Sequence, residues 1–328
     1  MHKRILGKSR FEISEVGLGC WQLGADWGQD ISQQKAFEIL QTAVDQGIRF
    51  FDTADVYGLG KSEKFIGDFL KETQSTVTVA TKFGRDKSVY PNQYSEEALR
   101  KSIIGSIERL GVDSLDLIQL HCIPTNVLKK GEVFDWLRKA KEEGLIKAFG
   151  ASVETVEEGL ICLKQPGLTS LQVIFNVFRQ KLVRELLPQA KEAKVGIIVR
   201  LPLASGLLTG KFTQETRFAE TDHRNFNQNG ELFNVGETFA GLPFEKGVEL
   251  TEKMRKDYLP DSLTMVQFAL RWILDHEAVT TIIPGASSPD QVKSNASVST
   301  LPPLSMDLHT SLSKFYQEEV YENIRGAY

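Results

Sequence analysis

Four residues of this chain could together perform proton chemistry: Asp52, Tyr57, Lys82 and His121. A phenol is a weak proton donor to a carbonyl oxygen at neutral pH, because its ordinary pKa lies near ~10. An ammonium held nearby favours the phenolate and lowers that pKa. A carboxylate beside the ammonium keeps it charged in a partly dry site. An imidazole can donate or accept a hydrogen bond at the carbonyl and orient it. The stretch RFFDTADVYGLGKSEK at 49–64 also places Lys61 four positions after Tyr57, so two lysines compete for the tyrosine. A Tyr-x-x-x-Lys pair needs one helix, so that both side chains share a face. Gly58 and Gly60 lie between the two residues, and glycines at that density disfavour a helix. The spacing rejects Lys61, leaves it as a solvated loop lysine, and makes Lys82 the partner of Tyr57.

Lys82 can reach Tyr57 only if the fold brings separate segments together. Short apolar runs alternate with amphipathic stretches: VGLG (16–19), IRFFDTA (48–54), VTVATK (77–82), LDLIQLHC (115–122), IKAFGAS (146–152), LQVIFNV (171–177), VGIIVRLPL (195–203) and VTTIIPGA (279–286). Runs without strict polar alternation suit parallel strands covered on both faces. Between them AFEILQTAVDQG stops at Gly47, and SEEALRKSIIGSIERLG opens on Ser95 as an N-cap with an acidic first turn. EVFDWLRKAKEEG, LVRELLPQAKEAK and SLTMVQFALRWILDH carry apolar spacings of three and four. Eight runs alternating with helices predict a (β/α)8 TIM barrel, an α/β fold, rather than a doubly wound sheet. KRILGKSRFEIS (3–14) predicts a β-hairpin ahead of the barrel. Residues 206–260 form an insertion after the seventh strand, and 301–328 a mostly helical tail. No Pro/Gly/Ser linker divides the chain, which predicts one domain over 1–328.

Chemistry in a barrel collects at the C-terminal ends of its strands. Asp52 ends the second run, Lys82 the third and His121 the fourth, and Tyr57 lies just after Asp52. Neighbouring strands lie ~4.8 Å apart, so these side chains can converge. Singly, Asp52 reads as a loop cap, His121 as a core histidine and Lys82 as a surface residue. Their placement at successive strand ends argues against that reading.

The motifs FDTADVYG, ATKFG, LIQLHC, GAS (150–152), LQVIFNV, PLASGLLTGK (202–211) and IPGASSPDQVKSN (283–295) follow one another across nearly the whole chain. On these the sequence resembles the aldo-keto reductase family, of the bacterial type related to channel β-subunit-like members. The resemblance implies reduction of aldehydes or ketones by hydride from a nicotinamide, with Tyr57 as general acid, Lys82 and Asp52 as its tuners and His121 as the orienting group. It implies NADPH/NADP+ as cofactor, with NADH weaker. Cys20, Trp21, Asp52, Ser152 and Gln172 would hold the nicotinamide side, with Asn176 a further candidate. Leu203, Ser205, Gly206 and Lys211 would line the pyrophosphate, and Gly285, Ser287, Gln291 and Asn295 the adenosine end, where a helix begins after Ser288. The sequence departs from the family in three places. Arg200 stands where many relatives stack an aromatic ring on the nicotinamide, Val153 replaces a common asparagine, and Gln291 replaces an arginine. Arg217 or Arg224 could supply the missing charge.

The remaining features exclude other classes. The 328 residues are 41% hydrophobic and 25% charged, with 39 Lys and Arg against 43 Asp and Glu, a net charge of −4. No basic block supports a nucleic-acid partner. No run approaches the ~18 apolar residues of a membrane span, and the N-terminal MHKRILGKSRFEIS has no cleavage site. Three separated cysteines suit a reducing cytoplasm. The scattered histidines give no metal-ligand spacing. GLLTGKF falls short of a phosphate loop, with Phe212 where Ser or Thr is required. The expected partner is a small carbonyl substrate, and the expected state a monomer or small homo-oligomer. Trp21, the 83–94 loop, Cys122 and the insertion are expected to shape the substrate pocket. Two alternatives stay open: a nicotinamide-binding regulatory subunit of the same fold, and a Schiff-base lyase using Lys82.

Overall fold

The structure, a computed structural model, describes residues 1–24 and 30–328. Ten strands run in chain order as β1 Lys3–Ile5, β2 Glu12–Ser14, β3 Leu18–Gly19, β4 Phe50–Asp52, β5 Thr78–Phe83, β6 Leu115–His121, β7 Ile146–Ser152, β8 Ser170–Ile174, β9 Gly196–Arg200 and β10 Val279–Ile282. β3 to β10 form one parallel sheet of eight strands in sequence order. Bridges from Val16 to Ile282 and from Gly19 to Gly285 join its edges, which closes the barrel. The eight predicted runs thus each supply one barrel strand. β1 and β2 pair antiparallel, as the N-terminal hairpin requires.

Helices pack outside the strands where the apolar periodicity placed them. The helix Gln33–Asp45 is followed by Gly47 at φ +82°, and the helix Glu96–Leu110 is capped by Ser95, whose hydroxyl accepts from the Ala98 amide at 3.1 Å. The insertion contains the helix Phe244–Tyr258, and the tail contains the helix Met306–Phe315. No helix among the described residues is long and apolar enough to cross a membrane.

Apolar burial divides into two clusters. The larger lies between the strands and the surrounding helices. The smaller lies inside the barrel and gathers Phe50, Ala80, Leu117, Ala148, Ile198 and Ile283 with Leu6 and Ile13 of the hairpin. Successive side chains alternate across a strand. Two residues beyond Phe50 and Ala80 stand Asp52 and Lys82, and two and four beyond Leu117 stand Gln119 and His121. The interior is therefore apolar at its N-terminal end and polar at its C-terminal end.

Candidate active site

Asp52 is the hub of the polar layer. Its side chain is buried, and one carboxylate oxygen accepts from Lys82 Nζ at 2.5 Å. The other accepts from Gln172 Nε2 at 2.7 Å and from Gln119 Nε2 at 3.2 Å. Lys82 also donates to the Thr53 carbonyl at 2.7 Å and lies 3.4 Å from Tyr57 Oη. Neighbouring strands therefore deliver Asp52, Lys82 and Gln119 to one point, with Gln172 reaching in from β8. Burial works against the Lys82 ammonium, but Asp52 and Tyr57 outweigh it and hold the pKa above its usual value.

The structure corrects the expectation that Lys82 leaves the phenol below its ordinary pKa. Burial pushes Tyr57 above that value, and Lys82 only opposes the shift. Lys61 also differs from expectation. It opens the helix Lys61–Thr73 rather than lying in a loop, and it pairs with Asp30. The helix starts only after Gly60, so Tyr57 remains outside it and the rejection of the Tyr57–Lys61 pair stands. Gly58, at φ +60°, packs so closely that a Cβ there would lie 2.1 Å from the Gly24 carbonyl oxygen. This contact brings the Trp21–Gly24 segment against the Tyr57 loop.

His121 ends β6, and its ring meets Tyr57 edge to face with centroids 5.9 Å apart. Burial, followed by the charges of Lys82, Arg85 and Arg200, holds its pKa well below the usual imidazole value. The ring is neutral at physiological pH, and its buried Nδ1 has no partner among the described residues. Trp21 stacks on Tyr57 with centroids 5.9 Å apart and itself meets the His223 ring of the insertion at 4.7 Å.

Above these groups opens a cavity of about 1040 Å³. Of the residues selected from sequence, Cys20, Trp21, Asp52, Tyr57, His121, Gln172, Arg200, Leu203, Ser205, Gly206, Lys211, Gly285, Gln291 and Asn295 line it. Lys82 lies beneath the lining. Ser152 and Ser287 are off the wall: Ser152 donates to Gln172 Oε1 at 3.3 Å, and Ser287 donates through its amide to Gln291 Oε1 at 2.8 Å. Asn176 is occupied by backbone, donating to the Leu201 carbonyl at 3.0 Å and accepting from the Phe178 amide at 3.0 Å. The Ser205 hydroxyl donates to the Glu237 carbonyl and accepts from the Phe239 amide, so it ties down the insertion. Arg224 reaches the cavity beside Asp222, whereas Arg217 bonds nearby carbonyls and stays off it.

The wall suits a dinucleotide. It offers the Gln172 amide, the backbone at Gly206 (φ +101°), Lys211, and the start of the helix Pro289–Ser297. These are neutral donors and cations, the kinds of group that an anionic, pyrophosphate-bridged ligand requires. The Ser288 hydroxyl caps that helix by accepting from the Gln291 amide at 3.4 Å, so the adenosine-side loop is already ordered.

Several functional residues have weak or no signal in the sequence. Gln119 could have been found, since it lies two before His121 on one strand and shares its face. The rim cluster carries no local signal. There Arg85 Nη2 donates to Glu154 at 2.6 Å and to Glu237 at 2.9 Å, while Arg200 lies 3.5 Å from Glu237 and donates to Cys122 Sγ at 3.3 Å. Burial and the neighbouring Glu237 raise Glu154 to about 7. Burial alone would also raise Glu237, but Arg85 and Arg200 bring it down to about 2. Cys122, Glu154 and Glu237 bring potential metal-ligand atoms within 4.8 Å of one another, yet two guanidiniums already fill that neighbourhood. Cys122 does not line the cavity, contrary to expectation, whereas the 83–94 loop contributes Arg85, Lys87 and Tyr90.

The site is thus a polar hub at the C-terminal end of a parallel barrel with a donor-lined groove above it. The aldo/keto reductase family model matches residues 15–317, and the chain belongs to that family. It is 32% identical over 340 residues to the uncharacterized oxidoreductase YqkF of Bacillus subtilis (strain 168), covering 99% of this chain and 100% of that protein. It is 28% identical over 313 residues to the NADH-specific methylglyoxal reductase of Escherichia coli (strain K12), covering 90% and 92% respectively. Among solved structures, the holo form of an aldo-keto reductase from Bacillus halodurans superposes with a TM-score of 0.78 at 28% identity, covering 99% of this chain and 100% of that one.

Proposed function

We propose that this single-domain protein, spanning 1–328, reduces small aldehydes and ketones to alcohols with NADPH, with Tyr57 as the general acid. The observation that carries the reading is the 3.4 Å approach of Lys82 Nζ to Tyr57 Oη, with Lys82 fixed by Asp52 at 2.5 Å. Lys82 steadies the charge that forms on Tyr57 as its proton leaves, and Asp52 keeps Lys82 charged. His121, neutral, directs a hydrogen bond at the carbonyl oxygen from the opposite side of the phenol. The bound nicotinamide supplies the hydride. Gln172 and Arg200 would border the nicotinamide, and Leu203, Gly206 and Lys211 the pyrophosphate. Gly285, Gln291 and Asn295 would border the adenosine. Cys20 and Trp21 would close the ring side, with Ser152 steadying Gln172 from behind. Ser205 and Ser287 would act through backbone and loop shape, since their hydroxyls are engaged.

A cofactor 2′-phosphate is favoured by the helix start at Ser288 and by Arg224 on the wall. NADH remains the weaker ligand in this reading, although one relative is named NADH-specific. Three buried free cysteines accord with a reducing cytoplasm. The lyase alternative needs a neutral, unpaired lysine, and Lys82 is neither.

The test is turnover of a panel of aldehydes and ketones with both nucleotides, alongside fluorescence titration of each. Carbonyl reduction with tighter NADPH binding is expected. Equal or reversed affinities overturn the cofactor preference. Nucleotide binding without turnover of any carbonyl would favour a regulatory nicotinamide-binding subunit.

A further inference from the structure

We infer that Arg85 is a specificity-determining residue that selects carbonyl substrates bearing a carboxylate a few bonds from the reacting carbon. The inference rests on the carbonyl-reductase reading above and names the substrate class of the same site. Tyr57 stacks on Trp21 at 5.9 Å, Trp21 meets Phe233 at 6.3 Å, and the Arg85 guanidinium lies 5.9 Å from the centre of the Phe233 ring. These contacts trace one wall from the proposed proton donor to a cation. Gly84, the residue before Arg85, packs beside the end of β6, where a Cβ built on it would lie 3.8 Å from the His121 amide, so Arg85 and the phenol's neighbour His121 share one end of the cavity.

The guanidinium is held from one edge only. Nη2 donates to Glu154 and Glu237, which fix its plane, and no described residue accepts from Nη1. Arg85 lines the cavity, so that free edge is available to a ligand. A fixed guanidinium with spare donors is suited to a planar carboxylate. Lys87, two residues on, adds a second positive charge to the cavity lining, and Val56, Leu232 and Phe233 add apolar surface to it.

No competing anion is free to occupy this end. Among the described residues, the carboxylates on the cavity wall are Asp52, Glu237 and Asp290. Asp52 is bound to Lys82, Glu237 to the two arginines, and Asp290 lies 3.7 Å from Lys293 at the far adenosine end. Glu154 is raised to about 7, so near neutral pH the two glutamates do not fully cancel Arg85 and Arg200.

The probe pair is 4-oxobutanoate and its methyl ester, which share a carbon chain and differ in charge. Wild-type protein should reduce the acid with kcat/KM at least ~10-fold above the ester, mostly through KM, as a charged hydrogen bond can supply. Arg85→Gln should collapse that ratio toward one, and Arg85→Lys, which keeps the charge, should restore part of it. Turnover of the ester by the variants shows that they are folded. Butanoate should inhibit wild type competitively against aldehyde, more strongly than butanamide, and Arg85→Gln should lose that difference. An acid-to-ester ratio near one in wild type, or a ratio that survives in Arg85→Gln, overturns the role of Arg85 and leaves the reductase reading intact. If neither compound nor any neutral aldehyde is reduced with either nucleotide, the reductase reading itself fails and this inference with it.

Discussion

The hub inside the barrel and the charged cluster at its rim are both built from buried ions, but they are assembled differently. Asp52, Lys82, Gln119, His121 and Gln172 all stand on strands, where register and the two-residue alternation fix their direction. Arg85 and Glu154 come from loops and Glu237 from the short 3-10 helix Val235–Glu237, which joins them only because the insertion folds back over the barrel. The chemical consequence differs as well. In the hub the imidazole is held neutral and the ammonium charged, so its proton inventory is constant around neutral pH. The rim contains a carboxyl at about 7. A strand-built site keeps its charges fixed, and a loop-built one can change them.

Four experiments sharpen that contrast. Tyr57→Phe should reduce carbonyl turnover by ~10²–10⁴ while nucleotide titration still shows binding, since only the donated proton is lost. Nucleotide binding lost together with turnover would place Tyr57 in the cofactor site instead. Lys82→Met strands the buried Asp52 carboxylate, so denaturant unfolding should show a loss of roughly 3–5 kcal/mol, with turnover falling alongside. Unchanged stability would mean that Asp52 is well enough served by Gln119 and Gln172 alone.

The stability contributions of the rim and the hub should respond to pH with opposite signs. Glu154 is raised from its ordinary 4.5 to about 7 in the folded state. Its contribution to stability is therefore fully present below about 4.5 and is lost as pH rises through about 7. Unfolding midpoints of wild type should drop across that window, and Glu154→Gln should flatten the drop. A drop of equal size in the variant would assign it elsewhere. His121 has the opposite sign. Its depressed pKa adds stability above the ordinary imidazole value near ~6.5, and this is lost as pH falls below it. The smallest effect is expected from Lys61→Met. The pair with Asp30 is exposed and screened by solvent, so stability and steady-state turnover should both stay close to wild type. A large activity loss there would undo the choice of Lys82.

The same division sets what could be read from the chain. The eight strands and the hairpin were legible because apolar runs mark strands, and the convergence of Asp52, Lys82 and His121 because each stands at or beside a strand end, with Tyr57 in the turn after Asp52. Ser95, Gly47 and Ser288 marked helix ends by local rules that need no tertiary knowledge. The reading of Lys61 failed because a helix can start directly after an αL glycine, here Gly60 at φ +88°. Ser152, Ser205 and Ser287 were placed near the cofactor groove, but which way each hydroxyl bonds depends on Gln172, Glu237, Phe239 and Gln291. The direction of the Tyr57 shift depended on how deeply the phenol is enclosed, which spacing does not encode.

The apolar floor beneath Asp52 has a consequence for traffic through the molecule. Phe50, Ala80, Leu117, Ala148, Ile198 and Ile283, closed from below by Leu6 and Ile13, are side chains that cannot relay a proton. The barrel axis is blocked at that level. In the proposed reaction, a proton given up by Tyr57 would have to be replenished from the cavity side, by the same opening through which reactant would enter and product leave. Resupply and exchange are thereby forced into one queue, and a molecule lodged at the mouth stops both.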